Sequence, residues 1–273
     1  MKRSSGWKGW FGTAAVLGLL VGLCFPGAGQ ALPDLSGVWV FAQVIGDTVS
    51  LPFIGERARS TVNTLRTVIT QDGESLTALE RSCSTRVDYG TNLVQTTIPP
   101  EFLESMGVNE RSGTLSWVQR NGTAVVEVVF PWDVQVAGAA LDDLENDPLP
   151  AEPDDPRVID QDGDGHPGVT VHVSIFGLMK GDIYVAQRNR TRLVGTLVAP
   201  DTIRGTIEWT AEQTVLGASA SWLTQDQLGV PDFDRSFFIA KRISPGLDCS
   251  QIEALDLFTP LGLDLPSPSN VGP

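Results

Sequence analysis

The sequence predicts an all-β protein: a mostly antiparallel meander barrel or sandwich of about ten to twelve strands, carrying an acidic loop insertion. Three observations support that expectation. From residue 35 onward, β-branched and apolar residues alternate with polar ones, the period of a half-buried strand. Asp72-Gly73, Asn121-Gly122 and Ala199-Pro200-Asp201 fall between such runs, and Asp-Gly and Asn-Gly supply the positive φ angles that tight hairpins need. Helical signals are confined to 101–106, which follows Pro99-Pro100, and to 251–257.

In chain order, Leu35–Phe41 begins the first strand, and residues 50–60, with Pro52 and the charged Glu56-Arg57-Ala58-Arg59, read as a loop. Strands follow at 61–71 and 75–82, then a short one at 93–98. Residues 113–119 and 123–130 form a hairpin across Arg120-Asn121-Gly122, and Trp132–Val136 extends it. Residues 138–168 hold ten acids, one base (Arg157) and four prolines before Pro167, so they read as a surface insertion that buries little. The sheet resumes at 169–176, and Lys180-Gly181-Asp182 is expected to turn the chain into 183–198. Residues 202–215 follow, and the glycines in Leu193–Leu197 and Ile203–Ile207 mark a curved meander hairpin. The last strand is expected at 232–243.

Lys2, Arg3 and Lys8 precede an apolar run from Ala14 to Leu23, broken by Pro26, and Gly29-Gln30-Ala31 offers small residues for cleavage. This reads as a secretory signal, residues 1–31, with cleavage expected after about Ala31. The product is expected to be exported, either secreted or periplasmic. Cys24 follows Leu23, which is too bulky for a lipobox. Residues 32–258 then form one β-domain, with a disordered tail over 259–273. No later segment has the roughly 18 apolar residues of a membrane helix. The prolines, the acidic insertion and the few aromatics argue against lipid-facing girdles. The signal holds three of the 19 basic residues and no acid, so the remainder carries 16 Lys+Arg against 33 Asp+Glu, a net charge of −17. Phosphate backbones are repelled by such a chain, which excludes nucleic acid as a partner class. Cleavage also leaves two cysteines, Cys83 and Cys249, which an oxidising compartment is expected to join.

The most specific chemical signal is Asp160-Gln161-Asp162-Gly163-Asp164-Gly165-His166. Alternating acids on a tight curve converge the hard oxygens that calcium requires. Asp160, Asp162 and Asp164 occupy positions 1, 3 and 5, Gly165 occupies the sharp turn at position 6, and the His166 carbonyl is the next ligand. This half-loop resembles the first half of an EF-hand loop and the Asp-rich calcium repeats of thrombospondin-like proteins. It departs from the EF-hand pattern at Pro167 and at Val171, which stands where a bidentate Glu belongs, and a strand follows instead of a helix. Asp154 and Asp155 are candidates to complete the shell, with Asp142, Asp143, Glu145 and Glu152 behind them. Calcium there is expected to be structural. His166 and His172, beside oxygen ligands, do not make a zinc set.

Gly37-x-Trp39 on the first strand is similar to the G-x-W of lipocalin-like barrels, although the later T-D-Y motif of that family is absent. The resemblance implies a barrel that binds a small apolar molecule, with a disulfide holding the C-terminal segment. Arg188, Arg190 and Arg192 share one strand face and read as solvated, with an anionic ligand or the docked insertion as alternatives. Trp39, Trp117, Trp132, Trp209 and Trp222 read as core or barrel-end residues, and Asn121 and Asn189 begin glycosylation sequons. No G-x-S-x-G, H-E-x-x-H or P-loop is present. The expected function is therefore that of an exported, calcium-binding, non-catalytic module for a small apolar ligand. The alternatives are a calcium-dependent cell-surface or matrix interaction protein, and a hydrolase built on a carboxylate pair.

Overall fold

Alternation along the chain becomes ten strands and two short helices in the computed structural model, which describes residues 31–51, 54–224 and 228–255. The expected signal segment up to residue 30 and the tail from residue 259 lie outside the described residues. The strands are β1 (Gly37–Leu51), β2 (Gly55–Asp72), β3 (Ser75–Asp88), β4 (Val94–Thr97), β5 (Val108–Arg120), β6 (Thr123–Ala137), β7 (Val169–Ile175), β8 (Met179–Ala199), β9 (Thr202–Ala218) and β10 (Val230–Arg242). Helix α1 (Pro100–Ser105) joins β4 to β5, and α2 (Cys249–Glu253) follows β10. Neither helix is long and apolar enough to cross a membrane.

The strand pairs are all antiparallel, and eight of the strands close a ring in chain order: β1, β2, β3, β5, β6, β8, β9, β10 and back to β1. This is the meander barrel among the two expected architectures. The remaining pair, β4 and β7, forms a second wall panel between the far halves of β3 and β8. The lower half is thus walled by β5 and β6, and the upper half by β4 and β7. Between β9 and β10 the ladder covers only Thr202–Thr206 against Phe237–Lys241, so these two strands part in the upper half.

Packing follows strand parity. Trp39, Phe41, Leu115, Phe130, Leu193, Ile203 and Phe238 fill the lower barrel, all with no solvent exposure. Phe41 stacks on Phe238 at 5.8 Å and meets Phe130 edge-on at 6.1 Å. Arg242 lies over the Trp39 ring at 4.7 Å, and the Trp39 indole donates to the Leu35 carbonyl at 2.8 Å, closing the bottom. Gly195 pairs with Gly205 beside Phe238, and a Cβ on Gly205 would come within 2.2 Å of the Val194 carbonyl oxygen and 2.5 Å of the Phe238 ring. Only glycine lets the β8–β9 hairpin press against that ring.

On the outer face, Val40, Ala42, Val44 and Ile239 are buried beneath Ile252 of α2. Asp248 caps this helix, with its side chain accepting from the Gln251 amide. The Cys83–Cys249 disulfide ties α2 to β3 across 166 residues.

Three sequence expectations are corrected. Within the segment expected as a loop, residues 50–51 and 55–60 are strand: β1 and β2 stay paired up to Leu51 and Gly55, because Arg59 turns inward onto Asp47 and the neighbouring charges face solvent. The turn expected at Lys180–Asp182 lies at 176–178, where Phe176 and Gly177 take φ of 57° and 68° and Ile175 pairs with Met179. Trp132 is 48 % exposed, lifted out of the wall at a β6 bulge.

Replacing Gly205 with Ala forces a side chain against backbone. The expected cost is about 1–3 kcal/mol of stability by chemical denaturation, while an exposed turn glycine such as Gly73, with nothing within 4 Å of its built Cβ, should owe any loss to backbone conformation alone.

Candidate functional site

Above the aromatic plug the inward residues change from large and apolar to mixed, and the barrel encloses a cavity of about 310 Å³. One side is apolar, with Ile98, Phe102 and Met106 from α1 and its approach, and Val171, Val173 and Val185 from the β7–β8 panel. The polar lining comes from Gln43, Thr61, Asn63 and Thr85 on β1–β3, interspersed with Ile45, Leu65 and Val87, and from Gln187 on β8 next to Val185. Helix α1 fills the seam between the two wall panels, where β3 has left β5 and has not yet met β4. Trp209 also lines the cavity, and its indole donates to Ser236 across the parting between β9 and β10 at 3.1 Å.

Two ion pairs face this space. Near the mouth, Arg59 makes a hydrogen-bonded pair with Asp47, and although burial opposes the Arg59 charge, that pair and Tyr89 hold it above its ordinary value. Deeper down, Glu80 and Arg111, each 2 % exposed, leave 4.0 Å between Oε2 and Nη1, too long for a hydrogen bond. Arg111 Nη2 is spoken for by the Thr191 carbonyl at 2.6 Å, and its guanidinium lies over Phe130. Glu80 Oε1 and Arg111 Nε have no hydrogen-bond partner among the described residues. Burial pushes the Glu80 carboxyl up, Arg111 opposes the rise and Asp133 adds to it; burial likewise pulls the Arg111 guanidinium down. A buried donor or acceptor left unpaired costs on the order of 1–3 kcal/mol, so this unmade pair is an expense that the fold does not need.

The acidic insertion leaves β6 at Gly138 and returns to β7 at Gly168. Both have positive φ, and their backbones approach so closely that a Cβ on either would meet the Val185 carbonyl oxygen. It then lies on the outer wall. Leu141, Leu149 and Val158 pack against Ala139, Ala186 and Leu216. Arg188 donates to the Asp147 carbonyl and Arg190 to the Glu145 carbonyl, and both reach Glu212. Arg188 is only 3 % exposed, so the solvated reading of this face is corrected: two of the three arginines clamp the insertion. Arg192 pairs instead with Glu208.

Within the insertion, one oxygen from each of Asp160, Asp162 and Asp164 lies within 4.8 Å of the others. The Asp160 carboxylate accepts from the amides of Gly163, Asp164 and Gly165, drawing the loop around it. Asp162 and Asp164 are held by the Thr170 amide and hydroxyl, but Asp162 Oδ1 is buried without a partner among the described residues. Asp154 and Asp155 do not join the cluster. The Asp155 carboxylate is gripped by the Arg157 guanidinium and amide, which hold its pKa down to about 2. The His166 ring stacks on Tyr184 at 4.1 Å, and His172 Nδ1 sits 2.6 Å from Asp182. Gln161 bridges outward, accepting from the Gly138 amide and donating to the Ser105 carbonyl at the end of α1.

Sequence reasoning did not single out Glu80 or Arg111. The signal was parity: Glu80 falls in step with Leu76 and Ala78, and Arg111 with Gly113 and Leu115, so both were bound to point inward. No family model, curated protein or solved structure matches the chain.

Arg188→Ala should release the insertion. Stability is expected to fall by about 1–3 kcal/mol as buried hydrogen bonds are lost, and hydrogen exchange across 139–158 should quicken while the lower barrel strands stay protected.

Proposed function

We propose that the protein is a non-catalytic binding module whose upper barrel takes one small amphipathic molecule, and that the Asp160 loop holds a structural calcium ion. The carrying observation is the cavity of about 310 Å³, floored by the aromatic plug and lined by apolar and polar side chains together. Its volume is at the small end of ligand sites. The apolar lining suits the expected hydrophobic body, and the amides and hydroxyls among it extend the expectation to a ligand with a polar end.

Calcium fits the donor set. Asp160, Asp162, Asp164 and the His166 carbonyl offer only hard oxygens, and the unpartnered Asp162 oxygen is the kind of group that a cation would satisfy. Bound there, the ion would supply charge neutralisation and stability, with no part in chemistry. The Cys83–Cys249 disulfide supports an exported product, secreted or periplasmic.

Two experiments test these readings. Val173→Phe projects a ring into the cavity and should weaken uptake of ethylbenzene at least tenfold, measured by saturation-transfer NMR; unchanged uptake in a folded variant would place binding elsewhere. In calorimetric titration with calcium, Asp162→Asn should lose at least tenfold in affinity and Asp155→Asn should match wild type. Absence of both heat and a shift in unfolding midpoint at millimolar calcium overturns the metal reading.

A further inference from the structure

The cavity is closed below by the aromatic plug. Above Asp47, β1 carries on with Val49 and Leu51, which join Tyr89 and Val94 in a buried cluster, each at most 4 % exposed, and roof the upper end. The seam between β3 and β4 is one ladder pair long, but Phe102 of α1 fills it, and Tyr89 Oη meets Thr96 Oγ1 across it at 2.8 Å. Between β9 and β10 the wall differs. β8 holds β9 up to Ala218, and β1 holds β10 up to Val230, yet the two strands pair with each other only as far as Thr206 and Phe237. Each therefore runs on with a bare edge among the described residues.

The lining shows the same break. A wall strand presents one residue in two to the interior. β1 gives Gln43, Ile45 and Asp47, and β8 keeps that alternation from Ile183 to Thr191. β9 instead gives every residue from Trp209 to Gln213, and β10 gives none. The cavity thus runs out past the edge of β9, where β10 would have completed the wall. Trp209 and Ser236 tie the lower corner of this opening at 3.1 Å. In the connection from β9 to β10, Leu223 is drawn away into the β7–β8 panel, and among the described residues only Leu228 borders the cavity.

Resting on the reading of the barrel as a binding module, we infer that the ligand enters sideways between β9 and β10, apolar end first, and that its polar end stays in this opening. The seam that holds α1 lies four strands from the opening in either direction, by β9, β8, β7 and β4 or by β10, β1, β2 and β3. Ile98, Phe102 and Met106 therefore stand across the barrel and receive the apolar end. At the opening, the bare edge of β9 offers main-chain donors and acceptors, which suit an uncharged hydroxyl or ether chain. The ligand class is thus an amphiphile that can be longer than the cavity, because its polar end need not be enclosed.

The probes are 4-fluorotoluene and the same ring carrying a tetraethylene glycol tail, titrated into the purified full-length protein and followed by fluorine exchange NMR. Wild type should bind the two with affinities within about threefold of each other, since the tail passes out of the opening. Thr210→Trp sets an indole in the opening, opposite the exposed Phe233 when the β9–β10 register is continued. Association and dissociation of 4-fluorotoluene should then both slow by about tenfold with its affinity kept, while the tailed probe loses about tenfold in affinity. Ser50→Trp, exposed at the roofed end, should change neither. Phe233→Ala should quicken exchange of 4-fluorotoluene, and this variant decides should Thr210→Trp not fold. Slowing by Ser50→Trp in place of Thr210→Trp, equal rates in every variant, or a wild type that takes 4-fluorotoluene and rejects the tailed probe overturns this inference and leaves the binding-module reading standing. No binding of 4-fluorotoluene by wild type overturns both.

Discussion

The pairing of β1 with β10 is the constraint on which the rest depends. Without it the eight-stranded meander would be an open sheet with two long exposed edges, each a template for association. With it, Trp39 and Phe41 on β1 are brought beside Phe238 and Ala240 on β10, and the same ladder sets Val40 and Ala42 beside Ile239 on the outside. One register thus builds two layers: the aromatic plug within and the apolar patch that α2 covers without. The disulfide then holds α2 where that outer patch needs it, so the C-terminal segment acts as part of the closure.

Closure is complete only at the bottom. Eight strands give an interior that side chains alone can fill, and in the lower barrel Phe, Trp and Leu do fill it. Higher up, β10 parts from β9, and the wall panel changes from β5–β6 to β4–β7. The inward residues at that level are shorter and more polar: Gln43, Thr61, Asn63, Ser82. They cannot span the interior, so space remains. The cavity follows from a change in side-chain size along continuous strands and from a wall assembled in two pieces, with α1 set in the joint.

Much of this was legible because it is local. Asn121-Gly122 specifies a tight hairpin from two residues, and Asn121 and Gly122 take φ of 51° and 78°. The glycines at 195 and 205 announced their own pairing. What was not legible depends on partners distant in the chain. Glu56–Arg59 looked like a loop because nothing nearby reveals that Arg59 meets Asp47 inside the barrel. Arg188 looked solvated because the segment that buries it carries so many acids that its few apolar residues, Leu141, Leu149 and Val158, were overlooked. The clustering of Asp160, Asp162 and Asp164 was legible from their spacing, whereas proximity in sequence says nothing about Asp155, which Arg157 grips instead.

The insertion matters to the cavity for a mechanical reason. Gln161 lies between Asp160 and Asp162, and its amide joins three things: the neck of the insertion at Gly138, the last turn of α1 at Ser105, and the acidic loop itself. Helix α1 is six residues long and has no side-chain cap at its start, so little of its order is intrinsic. Its placement rests on Phe102 packing against the β7–β8 panel and on that outside contact at its end. Local stability is shared among elements that open together. Whatever orders the acidic loop therefore stiffens α1 through Gln161, and α1 is the one helical piece of the cavity wall among the described residues.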